Sequence, residues 1–209
     1  MSVCVAWQRT GVHRFEQLYS RSLFVGSTGG GASTDVFPKA INGVLGTRMR
    51  IVPGYPGGND IDFAMERGEV DARCGWSLSS VVSTKKEWLD SGRIKVLVQL
   101  SLKKNPELAS VPHIMDFAKT DEQRRIFRLV FSREALGYPF LAPPGLPPDR
   151  EAALRTAFEA AVNDPAFREE AARSRLKISP VSAAYIRALL AEAYATPKPI
   201  VEKTRQLLR

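Results

Sequence analysis

Leu23-Phe24-Val25-Gly26-Ser27-Thr28-Gly29-Gly30-Gly31-Ala32-Ser33-Thr34 runs a short apolar strand straight into a cluster of glycines and hydroxyls. The apolar spacing that follows predicts an amphipathic helix from Asp35 to Leu45. A helix that starts there points unpaired backbone N–H groups, and the positive end of its dipole, at whatever sits in front of it. Glycines let an anion approach the main chain closely. The stretch reads as an anion seat.

Two commoner glycine loops do not fit. Gly26 to Ser33 has the spacing of a phosphate-binding loop, but Ala32 stands where the lysine for the outer phosphates belongs. The dinucleotide pattern fails too, because Thr34 occupies its last glycine position. The short polar side chains around the seat favour a carboxylate-type anion over a nucleotide.

The chain has 209 residues, enough for one large or two small domains with a real core. Its 44% hydrophobic and 25% charged content is ordinary for a globular protein. No apolar run approaches the ~20 residues of a membrane span. Met1 to Arg9 lacks a basic segment leading an apolar core, so no secretory signal is visible. Cys4 and Cys74 have no metal spacing; two buried free thiols are the expected state, with a disulfide left open. His13 and His113, the only histidines, sit in no ligand motif, and neither a metal nor a cofactor is expected. The net charge of +8 raises nucleic acid as a partner. However, Arg150, Glu151, Arg155, Glu159, Arg168, Glu169, Glu170, Arg173 and Arg175 alternate in sign. That is a solvated helix face rather than a phosphate-tracking stripe, and Arg124-Arg125-Ile126-Phe127-Arg128 is too short a cluster to change the reading.

The first two-thirds alternate strand and helix, which predicts a mostly parallel sheet. Strands are expected at Val3–Trp7, Leu23–Val25, Met49–Val52, Val70–Cys74 and Ile94–Leu100. Helices are expected over Asp60–Arg67, capped by Asn59 and closed by Gly68, and over Ser79–Ser91. Ligands bind such sheets outside the carboxyl ends of the strands. Three turns hold that position, Gly26–Thr34, Gly54–Asn59 and Gly75–Ser79, and should crowd one rim. Further on, the pattern predicts a helix over Asp121–Phe131 and a strand over Tyr138–Ala142. Three helices follow, opened by Pro148-Asp149, Asp164-Pro165 and Ser182, and a last segment runs from Pro197 to Leu208.

Three runs in order carry a resemblance: Gly54-Tyr55-Pro56-Gly57-Gly58-Asn59, then Ala64 to Asp71 (AMERGEVD), then Phe140 to Pro147 (FLAPPGLP). The chain resembles the extracytoplasmic solute receptors of the tripartite tricarboxylate transporter family, the Bug proteins, and Val25-Gly26-Ser27-Thr28-Gly29 corresponds to their second-domain ligand loop. The resemblance implies an α/β fold of the type II periplasmic binding protein kind, with two lobes and a ligand cleft between them. It implies a periplasmic protein without catalytic residues that binds a small organic carboxylate and hands it to a membrane permease.

It further implies that the carboxylate is held by Ser27, Thr28, Gly29 and Gly30, with Ser33 and Thr34 completing the seat. Tyr55, Gly57 and Gly58 form a second wall, and Trp76 and Ser77 lie on the same rim. Arg73, inside a strand before the rim, is expected to be structural or at the surface. Set against a full receptor, the chain is expected to hold one complete lobe, residues 11–132. Residues 1–10 and 133–209 are then the remnant of a first lobe that is otherwise missing, as is a signal peptide. Such a remnant leaves apolar faces and strand edges that invite self-association. The alternatives are a truncated remnant without transport function, and an α/β enzyme or sensor using the same seat; no G-x-S-x-G elbow or acid–histidine pairing favours catalysis.

Overall fold

Five short apolar runs pair into one sheet. A computed structural model describes residues 1–174 and 176–209; Arg175, one of the alternating charges, lies outside the described residues. The strands β1 (Ser2–Trp7), β2 (Leu23–Gly26), β3 (Met49–Val52), β4 (Ala72–Ser77) and β5 (Ile94–Leu100) lie in the order β3-β2-β4-β1-β5. β2 is parallel to β3 and β4, while β1 is antiparallel to both β4 and β5. Four strands therefore share one direction and β1 alone opposes them, so two of the four pairings are parallel and two antiparallel: a mixed α/β sheet where the sequence predicts a mostly parallel one.

Helices cover both faces. Strand alternation sends Cys4 and Ala6 of β1 to one side and Val3 and Val5 to the other. The first side packs against α1 (Ser33–Leu45) and α5 (Asp121–Phe131) through Phe37, Ile41, Phe127 and Phe131. The second packs against α2 (Gly58–Arg67), α3 (Leu78–Thr84) and α4 (Lys86–Asp90) through Ile61, Met65, Val81 and Trp88. The chain continues through α6 (Pro148–Asn163), α7 (Pro165–Arg173), α8 (Ala183–Tyr194) and α9 (Lys198–Leu207). α9 returns to the body, where Leu207 lies 2.7 Å from the place a side chain on Gly43 of α1 would take.

Several boundaries depart from the sequence reading. α2 starts two residues early, with Gly57 as its N-cap, and Asn59 sits inside its first turn. The helix expected over Ser79–Ser91 is two helices, broken at Lys85 (φ −136°). Tyr138–Ala142 forms no strand; it is exposed coil, because no strand edge lies alongside it and Pro139, Pro143 and Pro144 supply no donors. The starts marked by Asp164 and Ser182 hold: their side chains accept from the Phe167 and Tyr185 amides at 2.9 and 3.2 Å.

The free-thiol expectation is corrected. β1 and β4 are neighbours in the sheet, and Cys4 and Cys74 are joined by a disulfide buried in the core, with Cα atoms 4.0 Å apart. It closes a loop of 70 residues, which restricts the unfolded chain. Replacing both cysteines by alanine is expected to cost about 2–4 kcal/mol in urea unfolding; identical midpoints with and without reductant would show that the two are not joined.

His113 is buried beside Ser101, Nε2 to Oγ 3.2 Å, and burial pushes its pKa down. The folded state holds the ring neutral at a pH where the unfolded chain, near 6.5, already takes the proton. Its contribution to stability is therefore present above the unfolded value and is lost as pH falls below it. Melting temperatures from pH 7.5 down to 5.5 are expected to fall, and His113→Gln to flatten that slope.

Candidate ligand site

The glycine loop between β2 and α1 lies where the three predicted turns meet. The Ser27 amide donates to the Val52 carbonyl at 2.9 Å, and the Tyr55 amide donates back to the Ser27 carbonyl at 3.2 Å, which binds the loop to the end of β3. On its other side Gly75 sits against Ser33: a side chain on Gly75 would fall 2.5 Å from the Ser33 carbonyl carbon. The expected convergence on one rim is thus present, but the third element is not a turn. It is a bulge inside β4.

The bulge explains the position of Trp76. Val3 pairs with Trp76 and Val5 with Arg73, so β4 has one residue more than β1 over this stretch. Gly75 takes the extra step with φ +69°, which favours glycine. Ala72 and Cys74 face the α1 side, but Trp76 is turned to the other side and is buried at 1% exposure. Expected on the rim, it is a core residue. Ser77, half-buried at the end of β4, stays at the rim with its hydroxyl 2.8 Å from that of Ser79.

Within the loop the hydroxyls hold the main chain in shape. Ser27 is fully buried and its Oγ accepts from the Gly29 amide at 3.1 Å. Thr34 Oγ1 accepts from the Thr28 amide at 3.1 Å and lies 3.1 Å from Thr28 Oγ1. These contacts leave the amides of Gly30, Gly31, Ser33 and Thr34 without a protein acceptor among the described residues. Gly29 (φ +120°), Gly30 and Gly31 (φ +82°) face open space, with no atom within 4 Å of where a side chain would begin. The loop is an open shelf of donors at the start of α1.

Arg133, which the sequence reading passed over, donates to the Gly31 carbonyl at 3.1 Å. It lies 102 positions away, and no local pattern marks it.

The wall formed by the β3–α2 turn has a different character. Tyr55 is half-buried against the second core cluster, and burial raises its pKa. Gly57 is the N-cap of α2. Gly58 has no room for a side chain, because the Arg73 guanidinium occupies that space, with Cζ 2.7 Å from the would-be Cβ. Arg73 donates to the Gly58 carbonyl at 3.1 Å and to Asp62 Oδ1 at 2.8 Å. It also lies over the Trp76 ring, 4.3 Å from its centroid. Burial pushes Asp62 up and Arg73 down, while each partner's charge works against that shift. Arg73 is therefore structural, and Gly58 serves to admit it.

A separate groove lies elsewhere. It is a half-open groove of about 310 Å³ between α5 and α8, lined by Leu102, Arg128, Leu129, Leu189 and Glu192. Its charges are already paired, Arg128 with Glu192 at 2.6 Å and Arg125 with Asp121 at 2.7 Å. No group of three potential metal ligands occurs among the described residues, and none of their helices is long and apolar enough to cross a membrane.

No protein-family model matches the chain, and no curated protein sequence does. Its fold is similar to solved structures. One is a TctC solute-binding protein from Polaromonas, solved with no ligand, at TM-score 0.65 and 14% identity; the match covers 97% of this chain and 66% of that one. Another is an R. palustris protein solved with adipate, at TM-score 0.63 and 19% identity, covering 99% of this chain and 64% of that one. The chain has the α/β fold of solute-binding proteins and spans just under two thirds of the length of these two.

Removing Asp62 would leave the buried Arg73 charge unpaired. Asp62→Ala is expected to cost about 3–5 kcal/mol, and Asp62→Ala combined with Arg73→Met to recover much of it. A double variant no more stable than the single one would mean that the pair does not balance itself.

Proposed function

We propose that this chain is the ligand-holding part of a solute-binding protein for a small organic carboxylate. The observation that carries the reading is the unpaired amides of Gly30, Gly31, Ser33 and Thr34 at the start of a thirteen-residue helix, beside the open space at Gly29–Gly31. Such amides and the helix dipole suit a carboxylate without needing a cationic side chain. Ser27, Thr28 and Thr34 shape the shelf, Gly29 and Gly30 let the anion approach, and Ser33 adds its hydroxyl. Tyr55, Gly57 and Ser77 bound it. Gly58 and Trp76 contribute through Arg73, which they hold in place, and not by contact with the ligand.

The protein is non-catalytic on this reading. It belongs to a tripartite tricarboxylate-type system, in which residues 11–132 form a lobe and residues 1–10 and 133–209 belong structurally with a second. Its partner is a membrane permease and its place the periplasm. Two observations support this: the R. palustris structure of the same fold holds adipate, a dicarboxylate, and a buried disulfide suits an oxidising compartment.

Thermal shift against adipate, succinate, citrate, glutamate and nicotinate tests the reading. A bound acid at about a hundredfold excess over Kd should raise Tm by about 5–10 °C. Gly29→Val, which forces a β-branched residue to φ +120° and fills the shelf, should abolish the shift. No shift with any acid, or a shift that survives Gly29→Val, would remove the shelf from the site.

A further inference from the structure

The carbonyl that Arg133 meets belongs to a peptide held at both ends. Arg133 Nη1 donates to the Gly31 oxygen at 3.1 Å, and the Ala32 amide of the same peptide donates to the Gly29 carbonyl at 3.3 Å. Three successive glycines have little preference of their own for one orientation of their peptide planes. Gly29 (φ +120°) and Gly31 (φ +82°) both stand in the left-handed region, and no neighbour packs where their side chains would begin. The orientation of the Gly31–Ala32 peptide therefore depends on those two hydrogen bonds. It lies between the open amides of Gly31 and Ser33, so it sets the direction of both.

Arg133 is exposed, but the segment that carries it is anchored on either side. Phe131 is fully buried, and Ser132 Oγ donates to the Leu129 carbonyl at 2.8 Å. The Glu134 carboxylate, 13% exposed, accepts from Ser2 Oγ at 2.8 Å at the start of β1. The Arg133 guanidinium also lies 6.0 Å from the centroid of the buried Phe37 ring on α1.

Its placement runs against the charge of the helix end. Arg133 meets the chain two residues ahead of α1, at the positive end of the dipole, where a cation is disfavoured unless an anion lies beside it. The acids close by are taken. Asp35, in the first turn of α1, pairs with Lys39 at 3.0 Å, and Glu134 holds Ser2. Among the described residues no carboxylate stands within ion-pair distance of Arg133, so its charge stays available to an anion from solvent.

We infer that Arg133 is a positioning residue of the anion shelf. Its hydrogen bond fixes the Gly31–Ala32 peptide so that the amides on either side stay open. Its charge covers the Gly31 oxygen, an acceptor that would otherwise repel an arriving carboxylate. The inference rests on the carboxylate reading of the shelf and adds to it a residue that acts through the main chain.

Two variants of the full oxidised chain test it: Arg133→Met removes donor and charge, and Arg133→Lys keeps one charged donor. In the ligand-free chain the Gly31 carbonyl-carbon signal, read by NMR through the Ala32 amide, should move in Arg133→Met and stay near its place in Arg133→Lys. Adipate affinity by calorimetry should fall at least ~10-fold in Arg133→Met, the scale of a hydrogen bond to a charged group, and largely recover in Arg133→Lys. The ligand-free melting temperature should hold in both, because the side chain is exposed. A Gly31 signal unmoved by Arg133→Met, an unchanged affinity, a lysine variant no better than the methionine one, or a melting temperature that falls in step with affinity would each overturn the inference. Failure of the unaltered chain to bind adipate counts against the carboxylate reading instead, and the ligand-free Gly31 signal then decides the role of Arg133 alone.

Discussion

One backbone step organises this molecule: the left-handed conformation of Gly75 inside β4. With one extra residue on that strand, the side-chain alternation is reset between Cys74 and Trp76. Before the step β4 faces the α1 layer and can meet Cys4; after it the strand buries an indole in the opposite layer. The same glycine lets Ser33 sit where its side chain would otherwise begin, 2.5 Å from that point, so the start of α1 is seated directly on the bulge. A side chain there would push away the first turn of α1, and the open amides of the glycine loop would move with it.

The glycines of the rim fall into two physical groups. At Gly26, Gly58 and Gly75 the missing side chain is replaced by a neighbour: Ile61, Arg73 and Ser33 respectively. At Gly29, Gly30, Gly31 and Gly54 nothing lies within 4 Å. The first group packs the loops together and the second leaves main chain open to solvent. Arg73 belongs with the first group: its ion pair with Asp62 and its stacking on Trp76 link the start of α2 to the far side of the bulge.

Much of the architecture is legible in the sequence because local signals suffice for it. Apolar alternation locates the strands, and Asp164 and Ser182 mark helix starts through hydrogen bonds made within three residues. What is not legible depends on distant partners. The bulge at Gly75 looks like a turn because a lone glycine after a strand suits either. The disulfide joins positions 70 residues apart, and the Arg133 contact spans 102. Tyr138–Ala142 has strand composition but no strand to pair with. For the candidate site, the glycine loop is readable as an open-donor element, while the division of its hydroxyls into structural ties is visible only once Thr34 is seen to reach back to Thr28.

The place of β1 has a consequence for how the chain assembles during synthesis. β1 precedes the other four strands in this sequence yet lies inside the sheet, between β4 and β5, so one of its flanks waits for residue 77 and the other for residue 100. Until the first of these, Val3, Cys4, Val5 and Ala6 form an apolar ribbon with two open edges and a thiol whose mate at position 74 is still being made. Contacts of such sequence separation slow the search for the native topology. The oxidation that joins the two cysteines records that β1 has met β4.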